Sequence, residues 1–289
     1  MDTAHALITA YPGREVNLVA GRGTFFSSRD NLFPSGARRW WTGTPGSTIG
    51  AQMGRQYDGT NESEVQGWFR ATYGTYLTPQ ADNFVLGVLS EAENRTISAG
   101  LNDVVMDYFE DAVDRNGTTE LVFRSGSTKT IQRGSWVVNC TGYVKFPDDN
   151  SYEPYVSPSG AVASINVRSA ILHLPAFMGY FMGHLLFLDK LGEIPLYEID
   201  WQELRQKSPL AFPYVLFALI QHNLSLIYDN VPRRVFAENS LDFDKWYPLP
   251  RRLPGMARFV LTHRRERERQ RRVLDTVRER FGIRCGPLK

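Results

Sequence analysis

Apolar positions recur along this chain in blocks, and the spacing inside each block predicts its element. Ala4, Leu7 and Ile8 share one face of a helix over residues 1–10, which Tyr11-Pro12-Gly13 stops. Arg14-Glu-Val-Asn-Leu-Val-Ala-Gly21 then reads as a strand, with Arg22-Gly23 at its carboxyl end. From Leu101 to Asp114 the pattern is strand-like. It breaks at Asn116-Gly117, resumes over Thr119–Arg124, and breaks again at Ser125-Gly126-Ser127. Asn-Gly between strand-like runs is a hairpin signal, because both central positions of that turn favour positive φ. A meander is therefore expected, and it leads into Gly134-Ser-Trp-Val-Val-Asn-Cys-Thr-Gly142. That run is apolar through successive positions, as in a strand covered on both faces. We expect residues 1–23 and 101–142 to share one sheet, with 134–140 central and the Asn116-Gly117 hairpin at an edge. A generic antiparallel meander, and a plain buried strand with a turn, remain open alternatives on these residues alone.

The stretch 24–90 has no clear period and reads as irregular, rich in Gly, aromatics and arginine. Within it, Thr60-Asn-Glu-Ser-Glu64 opens a helix through Tyr73, capped by Thr60 or Asn61. Ser90-Glu-Ala-Glu-Asn-Arg95 begins another short helix. Beyond a Pro-, Asp- and Ser-rich loop at 146–159, helices are expected at about 168–190 and 210–228. The apolar run 171–188 approaches the length of a membrane span, but His173, Pro175 and His184 interrupt it. The run 212–227 is interrupted by Pro213, Gln221, His222 and Asn223, so buried helices explain both runs more simply. A charged helix closes the chain over His263–Arg280, with Glu268–Arg272 an acid/base opportunity and Gly282 its stop.

The net charge of +2 over 289 residues conceals a gradient. Residues 251–289 hold 13 Lys and Arg against 4 Asp and Glu, which leaves the rest of the chain net acidic. A solvated helix is the plain account of this basic tail. Peripheral contact with an anionic membrane is the sharper one, and no specific nucleic acid is expected. Cys140 and Cys285 form no C-x-x-C pair, which suits a reduced, cytoplasmic setting. The first residues are acidic and Ala-rich, unlike the basic-then-apolar order of a secretory signal.

Candidate chemistry follows from position. A helix, a short loop, an apolar strand and a basic residue at the strand's end form the second half of a βαβ dinucleotide unit. There Arg22 is placed to meet an adenosine ribose, and an arginine at that point suits the 2′-phosphate of NADP; a surface arginine at a strand end is the open alternative. Arg29, Arg38-Arg39 and Trp40-Trp41 combine guanidinium and ring in a way that suits nucleotide clamping, a packed surface loop, or single-stranded nucleic acid. His173 and His184 stand eleven residues apart, three helical turns, so they are expected on one face; without a third ligand at a metal spacing they read as satisfied or partly exposed core histidines.

Met1-Asp-Thr-Ala resembles the tetrapeptide that directly follows the G-x-G-x-x-G loop in flavin-dependent, class B type monooxygenase-like proteins. Val137-Val-Asn-Cys-Thr-Gly142 is similar to the strand and turn that close their nicotinamide domain. The resemblance implies an α/β protein: an incomplete Rossmann-like two-dinucleotide flavoprotein fold with a largely helical carboxyl-terminal region. It implies a partial NAD(P)-binding domain over 1–145 with an insertion at about 24–100. A returning part of the FAD domain over 146–230 and a basic helical tail over 231–289 would follow. Hydride would pass from NADPH to FAD, and oxygen would be activated on the flavin for an unidentified small substrate. Arg22, Arg29, Thr141 and Gly142 would be the cofactor contacts. The sequence departs from the family in one respect: no G-x-G-x-x-G occurs anywhere in it. The chain is therefore expected to be the carboxyl-terminal part of such an enzyme, impaired when alone. The alternative is a non-catalytic binding or scaffold protein, a truncated α/β remnant with a basic tail.

Overall fold

The computed structural model describes every residue except 79, 116, 141–150, 241 and 289, and only the backbone of 85. In chain order the elements begin with α1 (Asp2–Ala10), β1 (Val16–Val19), β2 (Thr24–Ser28) and α2 (Arg29–Leu32). A 3-10 turn over Gly36–Trp40 precedes α3 (Gly46–Gln56), α4 (Glu62–Tyr73), β3 (Gly74–Tyr76) and β4 (Asn83–Leu89). Next come α5 (Glu91–Gly100), β5 (Leu101–Val105), β6 (Phe109–Arg115), β7 (Thr118–Phe123), β8 (Thr128–Ile131) and β9 (Ser169–Ala170). The remainder is α6 (Pro175–Phe187), β10 (Tyr197–Asp200), α7 (Trp201–Lys207), α8 (Phe212–Asn230) and α9 (Arg233–Glu238). A second 3-10 turn over Phe243–Trp246, then α10 (Leu249–Phe281) and β11 (Cys285–Pro287), complete the chain. The fold is mixed α/β with several small sheets, and it divides into two compact units.

The first unit holds Met1–Asp30 and Tyr73–Phe146. In it β1 and β5 pair in parallel, Val16 against Leu101 through Val19 against Val105, each strand preceded by its helix. Gly100 lets those helices approach, since a Cβ there would collide with the Ile8 side chain. A second sheet has the order β3-β2-β4, with Phe25 stacked on Phe84 at 4.8 Å. The third is the antiparallel meander β6-β7-β8, in which β6 and β7 pair up to Arg115 opposite Thr118, so a hairpin joins them where one was expected.

Two expectations are corrected. Residues 24–90 are not irregular: β2, α2, α3, α4, β3 and β4 all lie there. Nor is there one sheet with 134–140 at its centre. β1-β5 and the meander are separate sheets, and 135–140 is neither strand nor helix, with Trp136 89% exposed. An apolar run becomes a buried strand only where a neighbouring edge accepts its backbone and cover exists for both faces. Among the described residues neither is present beside 136–138.

The second unit holds Asn31–Thr72 and Pro147–Lys289. Its core gathers Tyr155, Ile171, Leu172, Phe181, Leu185, Leu196 and Ile227, all nearly inaccessible. Of the polar residues that interrupt α8, His222 and Asn223 are buried and Gln221 is half-buried. Asn223 donates to the carbonyls of Ile171 and Tyr197, both at 2.7 Å, and accepts from the Tyr197 amide at 2.8 Å. Gln221 donates to the Gly50 carbonyl. The tail helix starts earlier than its charge pattern suggests, at Leu249, and ends as expected before Gly282. Its Arg280 grips Glu62 with two bonds, at 2.7 and 2.9 Å.

Candidate functional site

In the first unit, β1 runs out into Ala20-Gly21-Arg22-Gly23 and β5 into Met106-Asp107-Tyr108. Because the strands are parallel, both exits lie at their carboxyl edge, where open α/β sheets bind ligands. The Gly21 amide donates to the Asp107 carbonyl at 3.0 Å, tying the exits together, and the Gly23 amide closes a tight turn on the Ala20 carbonyl at 2.8 Å. Gly21 and Gly23 have φ of 58° and 72°. A Cβ would stand 3.0 Å from the Tyr108 ring at the first and 2.7 Å from the Thr78 hydroxyl at the second, so only glycine fits either place. The turn presents Arg22, exposed and without a side-chain partner among the described residues.

Sequence reasoning missed two further groups here. Tyr108 packs against Gly21, and the Arg124 guanidinium lies over the Tyr108 ring at 4.3 Å. The Arg124 amide donates to the Tyr108 carbonyl at 2.9 Å, and its Nε is 3.5 Å from Glu110. Beside them, the Ser125 side chain and the Tyr108 amide hold the Asp107 carboxyl below the usual carboxylate range. The only sequence signal was position: Tyr108 just past an apolar strand, Arg124 just before a Ser-Gly turn. Pairing of β6 with β7 is what folds one onto the other. Two guanidiniums and a half-exposed ring at a strand exit can hold a phosphate and a planar base.

Arg29 is used differently. It gives Glu93 a hydrogen bond of 2.5 Å, and Glu93 in turn accepts from the Ser90 amide and hydroxyl at the start of α5, a capping box. Burial would raise the Glu93 carboxyl, but the Ser90 bonds and Arg29 outweigh it and hold it below its ordinary value. A phosphate at Arg29 would have to displace that carboxylate. Thr141 and Gly142 lie outside the described residues. Arg38, Arg39, Trp40 and Trp41 are exposed and belong to the second unit, with Trp41 bound to Arg38 only through its backbone amide.

The histidines are corrected as well. His173 precedes α6 rather than lying in it, so it shares no helical face with His184. Burial pushes its imidazole down to about 4. His184 contacts the Tyr180 carbonyl through Nδ1 at 2.8 Å. Among the described residues no three His, Cys, Asp or Glu side chains are grouped to hold a metal.

One Ser-His-Asp neighbourhood does form in the second unit. Ser225 Oγ is 2.8 Å from His263 Nδ1, and His263 Nε2 is 3.8 Å from Asp229, which also binds Arg264 at 3.2 Å and Arg267 at 3.0 Å. Ser225 is buried and also donates to the His263 carbonyl at 3.1 Å. A nucleophile must reach its substrate, so this hydroxyl locks α8 to α10 rather than attacking anything. No family model, curated protein or solved structure matches the chain.

Proposed function

We propose that this chain is the carboxyl-terminal part of a flavin- and NAD(P)H-dependent oxidoreductase of the class B monooxygenase type. In this proposal its first unit meets the adenosine end of NADPH. The observation that supports it is the parallel β1–β5 pair, each strand led by a helix, with Arg22 offered from a glycine turn at the carboxyl edge. In a doubly wound sheet of strand order 3-2-1-4, β1 and β5 correspond to strands 2 and 3. Strand 1, which bears the glycine loop, would add at the other edge of β1, and 135–140 would take the place of strand 4. The finer assignment to a Rossmann-like fold is part of the same proposal.

The residues at the edge fit the group. Arg22 and Arg124 would take the 2′-phosphate, and Tyr108 would lie beside the adenine or ribose. NADPH supplies the hydride in such enzymes, and the flavin supplies the oxygen chemistry. This chain's share is to bind and orient the nucleotide.

The test is a titration of NADPH and NADH into the chain and its Arg22→Ala variant, alone and extended by its in-frame upstream coding sequence. A charge-assisted pair is worth about 1.5–3 kcal/mol, so Arg22→Ala should weaken NADPH by about ten- to a hundredfold and NADH hardly at all. Equal loss for both nucleotides would assign Arg22 to the turn alone. An upstream sequence with no glycine loop would favour the non-catalytic scaffold.

A further inference from the structure

We propose that the amino-terminal half of α10 is an interfacial anchor that lies on an anionic lipid bilayer. Leu249, Leu253, Met256 and Val260 follow one another at four-, three- and four-residue steps, so they share a face of the helix. They are 54%, 51%, 50% and 48% exposed, and the neighbouring Leu261 is 83% exposed. The buried residues of α10 begin only at His263, so the first turns leave their apolar stripe uncovered.

Charge selects the occupant. Between Tyr247 and Arg265 the sequence carries five arginines and no acid. Arg251 donates to the carbonyls of Thr42 and Gly43, and Arg258 to the Ser47 carbonyl and the Thr48 hydroxyl; both sit on the face of α10 opposite the stripe, where these neutral acceptors leave the net charge of this end of the helix positive. The side chains that would reach headgroups are Arg264 and Arg265, 74% and 80% exposed where the stripe ends. Arg252, Arg264 and Arg265 have acidic neighbours in Asp242, Asp229 and Glu266. Arg233 adds a further exposed cation across a cleft of about 700 Å³ from Val260 and Leu261.

A second copy of the chain would bring arginines against arginines. A coiled-coil partner needs an apolar seam sustained over three or four heptads, whereas this stripe yields to Arg264 and Arg265 after three turns. A bilayer needs less: an apolar face buried a few ångströms deep, with basic side chains reaching the headgroups. Among the described residues no helix is long and apolar enough to cross a membrane, so α10 would lie on the surface. The expected membrane contact thus moves away from 263–280, where Glu266, Glu268, Asp275 and Glu279 interleave with the arginines. This inference does not depend on the flavoprotein proposal.

Co-sedimentation with vesicles of phosphatidylcholine, with and without phosphatidylserine, tests it. The full chain should bind the anionic vesicles, lose that binding as salt is raised, and bind the neutral ones at least about tenfold more weakly. The Leu253→Glu/Val260→Glu pair, both exposed positions, should lower anionic binding by about tenfold or more with an unchanged thermal melt. No binding, or equal binding to both vesicle types, would overturn the proposal. So would binding that the double variant leaves intact. If the wild type proves dimeric and the double variant monomeric, with no vesicle binding, the stripe belongs to a second copy; capture of an acidic helical peptide without vesicle binding would assign it to a protein partner. Should the double variant misfold, the lipid and salt comparison on the wild type decides.

Discussion

Asn223 is completely buried, and its side-chain amide closes three bonds onto the backbone at Ile171 and Tyr197. Removing it strands a buried amide and two carbonyls, each costing roughly 1–3 kcal/mol when left unsatisfied. Asn223→Ala should therefore lower urea-unfolding stability by about 3 kcal/mol or more. Asn223→Asp keeps the acceptor for Tyr197 but loses both donors and buries a charge, so it should cost at least as much. A loss under about 1 kcal/mol for either would show that water replaces the amide. The sequence marked Asn223 as an interruption of an apolar run, which is legible, but its partners lie far away in sequence and are not.

His222, its neighbour, carries a pH dependence. Burial pushes its imidazole down to about 4, against an unfolded value near 6.5. Between those values the unfolded chain binds the proton and the folded one does not, so stability rises with pH there. The contribution is fully present above about 6.5 and is lost as pH falls toward 4, on the order of 3 kcal/mol in all. His222→Phe keeps a ring against Tyr197, which lies 4.5 Å away centre to centre, and removes the titration. Its urea midpoint should fall less than that of the wild type between pH 7 and pH 5. Parallel curves for the two proteins would mean that other groups carry the acid sensitivity.

At the scale of elements, Gly100 decides how closely α1 and α5 pack, because an added Cβ would run into Ile8. Gly100→Ala gains helix propensity yet must push Ile8 aside, at about 1–3 kcal/mol of overpacking. The expected result is a lower melting temperature for Gly100→Ala, partly restored in Gly100→Ala/Ile8→Ala. Failure of the second change to restore it would place the strain elsewhere. Helices with local signals were legible: α1 from its spacing and Tyr-Pro-Gly stop, α5 from Ser90 and Glu93, and α10's end from Gly282. The hairpin that joins β6 to β7 was legible for the same reason, since a turn's chemistry sits in adjacent residues. What failed was non-local. An apolar period cannot say which edge a strand meets, so 134–140 was misread, and β2 and β4 hid among glycines and aromatics until they paired in parallel. In the candidate site, Arg22 was legible because it ends a strand, whereas Arg124 reaches Tyr108 only through the meander.

On the scale of the whole molecule, cofactor retention turns on what a glycine loop does. A dinucleotide's pyrophosphate needs unpaired helix N–H groups approached through residues without side chains, and the sequence holds no G-x-G-x-x-G. The chain expressed alone should therefore be colourless, without stoichiometric FAD; a yellow protein with tightly held flavin would refute this. A second measurement separates loss of cofactor from loss of architecture. Trp136, Val137 and Val138 are exposed and outside any strand, and β1 pairs with β5 along one edge. Adding the upstream segment should, under the proposed strand order, fill the other edge of β1 and give 136–138 a partner. Hydrogen exchange of the 136–138 amides should then slow by orders of magnitude, because protection follows burial and pairing. Exchange equally fast in the short and extended chains would remove 135–140 from the sheet, and with it the strand-order argument for a dinucleotide fold, whatever the colour of the protein.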